Sequence, residues 1–175
     1  MGLDMYLYKT TKTKTIPFKK LKGINNFLYK HCYHNKKSLS SAIDIIARHY
    51  PEIKKVKIYS EGKYFFTLFS QIAYWRNANA IHRYFVQNVQ NGKDDCGYYQ
   101  VSPDVLTNLL TLCEKVEKHL HLAPELLPTQ DGFFFGKTDY NDWYFYQLKE
   151  TIKQIKNILK SIDFDKYWIA YHSSW

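Results

Sequence analysis

Between Thr138 and Leu159, the apolar residues Tyr140, Trp143, Tyr144, Leu148, Ile152, Ile155 and Leu159 recur every three or four positions, while Lys149, Lys153, Lys156 and Lys160 fill the opposite arc. A stripe of that period is buried only when the segment is a helix lying on another layer of structure. Thr138 stands in the N-cap position, and Asp139 and Asp142 in the first turn suit the positive end of the helix dipole. The rest of the chain must therefore supply the surface that this helix covers.

The run leading into it, "LLPTQDGFFFGKTDYNDWYFYQL" from Leu126 to Leu148, is unusually aromatic. TQDG reads as a turn and FFFGKT as a strand, so most of these rings are core. Phe134 and Tyr146 fall on the wrong faces for that and are left free to stack on another molecule.

A second helix is predicted from Ser70 to Gln90. Ala78, Ile81, Phe85 and Val89 form its apolar stripe, Trp75 and Val86 widen it, and Asn91-Gly92 stops it. A third begins at Ser102, a capping residue followed by Pro103 at the first helical position, and ends near His121. Shorter helices are predicted over Gly23–His34, with Tyr33 turned inward, and over Ser41–Tyr50, where Pro51 ends the run. Near the N-terminus Leu3, Met5 and Leu7 alternate with Asp4, Tyr6 and Tyr8, the period of a half-buried strand. Further short strands are expected on both sides of a Glu61-Gly62 turn, in GYYQVS and in KYWIAYH. The pattern predicts a single α+β domain: a small, mostly antiparallel sheet of short strands packed by four or five helices, with a basic flexible segment near residues 9–23.

A length of 175 residues fits one compact domain, and 45% hydrophobic with 18% aromatic residues excludes a disordered chain. No apolar run approaches the roughly 20 residues that span a bilayer. The opening residues lack a secretion leader, and Tyr6 stands where a myristoylation motif needs Ser or Thr, so a cytoplasmic protein without a membrane partner is expected. Cys32, Cys96 and Cys113 have no zinc-site or redox spacing and read as buried free thiols. No phosphate loop or hydrolase motif is present, so no catalytic residue, cofactor or metal site is predicted.

Charge is more informative. Residues 1–60 hold 13 Lys+Arg and 3 Asp+Glu, whereas residues 61–175 hold 12 and 13, so the whole positive excess lies in the first third. Lys9, Lys12, Lys14, Lys19, Lys20 and Lys22 are the densest part of it and are the candidate contacts to a polyanion such as RNA. The competing reading is a solvated loop that keeps a tyrosine-rich protein soluble.

A second candidate site groups Arg76, Asn79 and Arg83, at i, i+3 and i+7 of the predicted second helix, with His82 and Lys137. Two guanidinium forks and a lysine suit phosphate or carboxylate groups. The arginines could instead pair with Asp94 and Asp95 just beyond the helix. Those two aspartates, even with His82 nearby, are too few ligands for a metal and more simply satisfy turn amides. His31, His34, His49 and His119 share no metal-ligand spacing.

The blocks MGLDMYLYK, YWRNANAIHRYFVQNVQNGKDDCGYY and ELLPTQDGFFFGKTDYNDWYFYQLKET resemble a family of small, uncharacterised phage and prophage proteins. Its members share a Met-Gly-Leu-Asp-Met-Tyr-Leu opening, a Trp-Arg-x-Ala-Asn-x-Ile-His block and a Gly-Phe-Phe-Phe-Gly block. The resemblance covers residues 1–9 and 71–155 and implies a viral or mobile-element origin, where small accessory proteins often counter host defences. It carries over no catalytic residue. The expectation is a phage- or prophage-encoded, anti-CRISPR-like inhibitor that contacts a bacterial defence effector, or that effector's RNA, stoichiometrically. The alternative is a protein that sequesters or hydrolyses a small phosphorylated signalling nucleotide, and a third is an assembly accessory that recognises another protein.

Overall fold

The structure, a computed structural model, describes residues 2–60 and 62–175. Strand β1 (Asp4–Thr11) is followed by helix α1 (Phe18–Leu28), which runs directly into a π-helical turn (Tyr29–His34), and then by α2 (Leu39–Ala47). After a 3-10 turn (Pro51–Lys55) come β2 (Tyr59–Ser60), β3 (Phe66–Thr67), β4 (Ser70–Arg76), α3 (Asn79–Val89), β5 (Tyr99–Val101) and α4 (Pro103–Lys118). A 3-10 turn (Leu120–Leu122), α5 (Ala123–Leu126), α6 (Asp142–Ser161) and β6 (Tyr167–Ser174) complete the chain.

The fold is α+β, as the sequence predicts, with an antiparallel sheet in the order β4-β1-β6-β5. In it Tyr99 pairs with Tyr171 and Val101 with Ile169. A separate two-stranded ribbon pairs Tyr59 with Thr67 and Ser60 with Phe66. Its strands match the expectation, although Glu61 of the predicted turn lies outside the described residues. Among the described residues no helix is long and apolar enough to cross a membrane.

Chain contacts gather into two compact units. One comprises the residues up to Tyr8 with Gln71–Phe164 and Ile169–Trp175; the other comprises Lys9–Ser70 and Asp165–Trp168. In the first, Leu3, Met5 and Leu7 of β1, Trp75 of β4 and Ile169 and Tyr171 of β6 join α3, α4 and α6 in one core. The amphipathic helices α4 and α6 pack side by side. Trp75 is 2% exposed, and its indole N–H donates to the buried Thr151 hydroxyl of α6 at 2.9 Å.

Five expectations are corrected here. Ser70–Arg76 is a strand, not the start of a helix: Ala73 and Trp75 point inward while Tyr74 and Arg76 are exposed. Pairing in the sheet outweighs a weak helical preference there. Asn77, with φ of 54°, then separates strand from helix; its amide N–H donates to the Leu3 carbonyl at 2.8 Å, and its side-chain oxygen accepts from the Leu3 amide at 3.0 Å. The FFFGKT segment is a turn and not a strand, because Gly136 takes φ of 82° and the Phe135 amide bonds back to the Gly132 carbonyl. Phe133, not Phe134, is the exposed ring there, at 95%. Helix α6 begins at Asp142 and is capped by Asn141, whose side chain accepts from the Trp143 and Tyr144 amides, rather than by Thr138. Trp143 is consequently half exposed instead of inward, and it stacks on the exposed Tyr146.

In the second unit α1 starts at Phe18, five residues before the predicted Gly23, and packs on α2 and β3. Leu21, Ile24, Leu28 and Cys32 form its buried face. The Asn25 side-chain oxygen accepts from the Thr67 hydroxyl and the Leu68 amide, fastening the helix to the ribbon. The lysine-rich run is therefore not one loop. Lys9 lies on β1, and Lys19, Lys20 and Lys22 lie on α1. Lys14 lies in a connection fastened by Glu52, whose carboxylate accepts from the Lys14 and Thr15 amides and the Thr15 hydroxyl.

Candidate functional site

The division into units sharpens the charge asymmetry. Lys9–Ser70 with Asp165–Trp168 hold 15 Lys+Arg and 4 Asp+Glu, a net of +11, while the other unit holds 10 and 12, a net of −2. Lys14, Lys19 and Lys20 are exposed and have no ion pair among the described residues. Lys12 and Lys22 are also exposed. Lys9 is half-buried, with its ammonium 5.4 Å from the centre of the Tyr167 ring.

Helical spacing turns part of this charge into a row. Lys19, Lys22, Asn26, Tyr29 and Tyr33 follow one another at three- and four-residue steps along α1 and the π-helical turn, and all are exposed. They lie opposite the buried face and span about 20 Å at the rise of a helix. Tyr33 is thus outside, not inward. The widened turn brings the Tyr29 and Tyr33 rings into a stack, centroids 5.1 Å apart at 18°, with 39% and 42% of these residues exposed. Phe65 meets both rings edge-on, and the Lys36 ammonium lies 4.5 Å from the Tyr33 centroid. Lysines leading to exposed, pre-stacked tyrosines combine the two contacts a single-stranded nucleic acid offers, phosphate and base face. Only the lysines were found in the sequence. The tyrosines needed α1 to be carried back to Phe18, which makes their 3–4 spacing with Lys19 and Lys22 visible.

The second predicted site is dispersed. Arg76 is on the exposed end of β4, 3.9 Å from Asp4, and not beside Asp94 or Asp95. Arg83 donates to the Thr129 carbonyl at 3.2 Å. Asn79 and Lys137 do meet, lining one pocket, and the Asn79 amide donates to the Lys137 carbonyl at 2.8 Å. Asp95 accepts from the Gly97 amide, the turn role expected of it.

His82 has a different part. It is fully buried, with Nδ1 2.7 Å from the Tyr171 hydroxyl and Nε2 2.8 Å from an Asp94 carboxylate oxygen, while Trp175 donates to the other oxygen. Burial outweighs the neighbouring carboxylate and pulls the imidazole below its ordinary pKa. The neutral ring then donates from Nε2 to Asp94 and accepts from Tyr171, which leaves every partner satisfied. In the unfolded chain the same group titrates near 6.5. Stability should therefore be full above about pH 6.5 and fall below it, at up to about 1.4 kcal/mol per pH unit from this group. Urea midpoints measured between pH 7.5 and 5.5 should decline for the native chain and less steeply for His82→Gln. Equal slopes would remove His82 as the cause.

Comparison with protein-family models, with curated proteins and with solved structures finds no match to this chain.

Proposed function

We propose that this chain is a single-stranded RNA-binding protein that acts by occupancy, with no bond made or broken. The observation that carries the reading is the exposed row Lys19–Lys22–Asn26–Tyr29–Tyr33 on a unit of net charge +11. Lysines supply affinity by releasing counterions from the backbone, and the tyrosine pair supplies a surface on which any base stacks. The resemblance to phage proteins suggests the target: the RNA, or an RNA-bearing face, of a bacterial defence effector, met in the host cytoplasm and blocked stoichiometrically.

Titration of the full chain with a fluorescent single-stranded RNA at 50 and 200 mM salt tests this. Four to six lysine contacts give a log–log slope of about −3 to −4, so affinity should fall roughly 50- to 300-fold between the two conditions. The double variant Tyr29→Ala, Tyr33→Ala should weaken binding by about 1–3 kcal/mol per stacked base, with the salt slope unchanged. Salt-insensitive or absent binding, or turnover of the RNA, would overturn the proposal.

A further inference from the structure

We propose that the apolar groove between α1 and α2 docks an amphipathic helix of a partner protein, one whose apolar stripe is edged by aspartate and glutamate. The groove lies wholly within the basic unit. The inference goes beyond the RNA reading and stands without it.

Gly23 is the first observation. It sits in the middle of α1, where glycine is a poorer helix former than alanine, and its φ is not left-handed. A Cβ placed there would meet nothing within 4 Å. Neither the backbone nor the packing of this chain therefore requires the missing side chain. Its absence does open the groove: Gly23, Ile24 and Phe27 of α1 line it together with Ile45 and Ile46 of α2.

The second observation is what the groove can hold. Its volume is about 210 Å³. A cavity of roughly 150 Å³ takes up a benzene ring, so one or two leucine- or phenylalanine-sized side chains fit. Ile45 is 37% exposed and Phe27 half-buried, apolar surface that a partner would remove from water. A groove between two packed helices suits a third helix, whose side chains at i, i+3, i+4 and i+7 descend into it. A flat membrane surface or an RNA strand offers no such row of apolar knobs.

Charge complementarity completes the description of the occupant. Lys20 precedes Gly23 by three positions and Ile24 by four, Lys30 follows Phe27 by three, and Arg48 follows Ile45 by three. At those spacings each cation stands beside a lining residue. All three are exposed and have no ion pair among the described residues. Asp44 is the only acidic residue of α1, its π-helical extension and α2, and it stands one position from Ile45, off the groove's edge. An apolar floor with a basic rim fits an apolar stripe with an acidic border and repels a basic one.

The test uses a displayed library of random peptides about 16 residues long, enough for roughly four helical turns. Selection on the full native chain is paired with counter-selection on Gly23→Leu, and the peptides that survive both are titrated by fluorescence anisotropy. They should carry apolar residues at three- and four-residue steps, flanked by Asp and Glu. Gly23→Leu should raise Tm by about 2–4 °C while weakening these peptides roughly 30-fold or more, a combination that a purely structural role would not produce. Ile45→Glu, on the other helix, should weaken them by a similar factor. The pair Lys30→Glu, Arg48→Glu should cost roughly 10-fold at low salt and less as salt rises. Affinity for single-stranded RNA should be unchanged in Gly23→Leu, so failure of the groove and failure of the RNA-binding row are read separately. Survivors without the acidic amphipathic pattern, or none at all, would overturn the proposal. So would a lower Tm for Gly23→Leu, which would mean that the space at Gly23 is already filled. A dimer of the native chain that Gly23→Leu dissolves, or sedimentation with phosphatidylglycerol vesicles that Gly23→Leu abolishes, would name another occupant and overturn it as well.

Discussion

Converting Lys19, Lys20 and Lys22 together to glutamine should cost on the order of 100-fold in affinity for single-stranded RNA at 0.1 M salt, and almost nothing at 1 M. Each lost phosphate contact removes about 0.7 from the log–log salt slope, so three contacts remove about two, and one decade of salt converts that into two decades of affinity. All three side chains are exposed on α1, away from the buried Leu21 and Ile24. Glutamine has nearly the helix preference of lysine, so the helix should keep its circular dichroism and the protein its melting point. A merely solubilising role would give a different outcome, namely reduced solubility with unchanged affinity for RNA. Salt dependence also separates this triple variant from the tyrosine variant, because stacking losses should be the same at both ends of the salt range.

The largest effect on stability is expected at Trp75. Replacement by alanine should cost about 3–5 kcal/mol, a large part of the 5–15 kcal/mol that holds a typical domain folded. The indole is fully enclosed beneath β1, α3 and α6 residues of one core, so its removal leaves a void that the surrounding helices only partly fill. Its N–H also donates to the Thr151 hydroxyl, which in turn donates to the Gln147 carbonyl. Trp75→Phe keeps most of the volume and loses that bond, so it should cost much less than alanine. Urea midpoints for the two variants check the order. A small alanine effect would mean that β4 does not bury Trp75 as described.

The elements that could be read from the sequence were those whose local signals agree with the burial they end up having. Ser102 and Pro103 mark the start of α4, and Leu106, Leu109, Cys113 and Val116 are its buried stripe. Leu3, Met5 and Leu7 alternate as β1 requires, and all three are fully buried. The failures lie where distant partners decide. Ser70–Arg76 alternates and also contains residues at helical spacing, and sheet pairing settles it. Asn141 was preferred to Thr138 as a cap because the turn through Gly136 carries the chain three residues further before α6 begins.

The candidate sites were legible to different depths for the same reason. The lysines of the first third are visible as composition, but their division between β1, a fastened connection and α1 depends on Glu52, Asn25 and the buried face of α1. His82 has its partners 12 and 89 positions away, at Asp94 and Tyr171, and no local spacing announces that network. Gln147 falls within the predicted helix as an ordinary polar residue, and only the packed structure shows that it is buried, at 8% exposed.

The most direct measurement is photo-crosslinking of the full-length protein to a 4-thiouridine-substituted single-stranded RNA, with the attached peptides identified by mass spectrometry. Adducts should concentrate on Tyr29 and Tyr33 and diminish as salt rises. Adducts confined to residues beyond Gln71, or spread evenly over the surface, would contradict the assignment of RNA to the outer face of α1 and its π-helical extension.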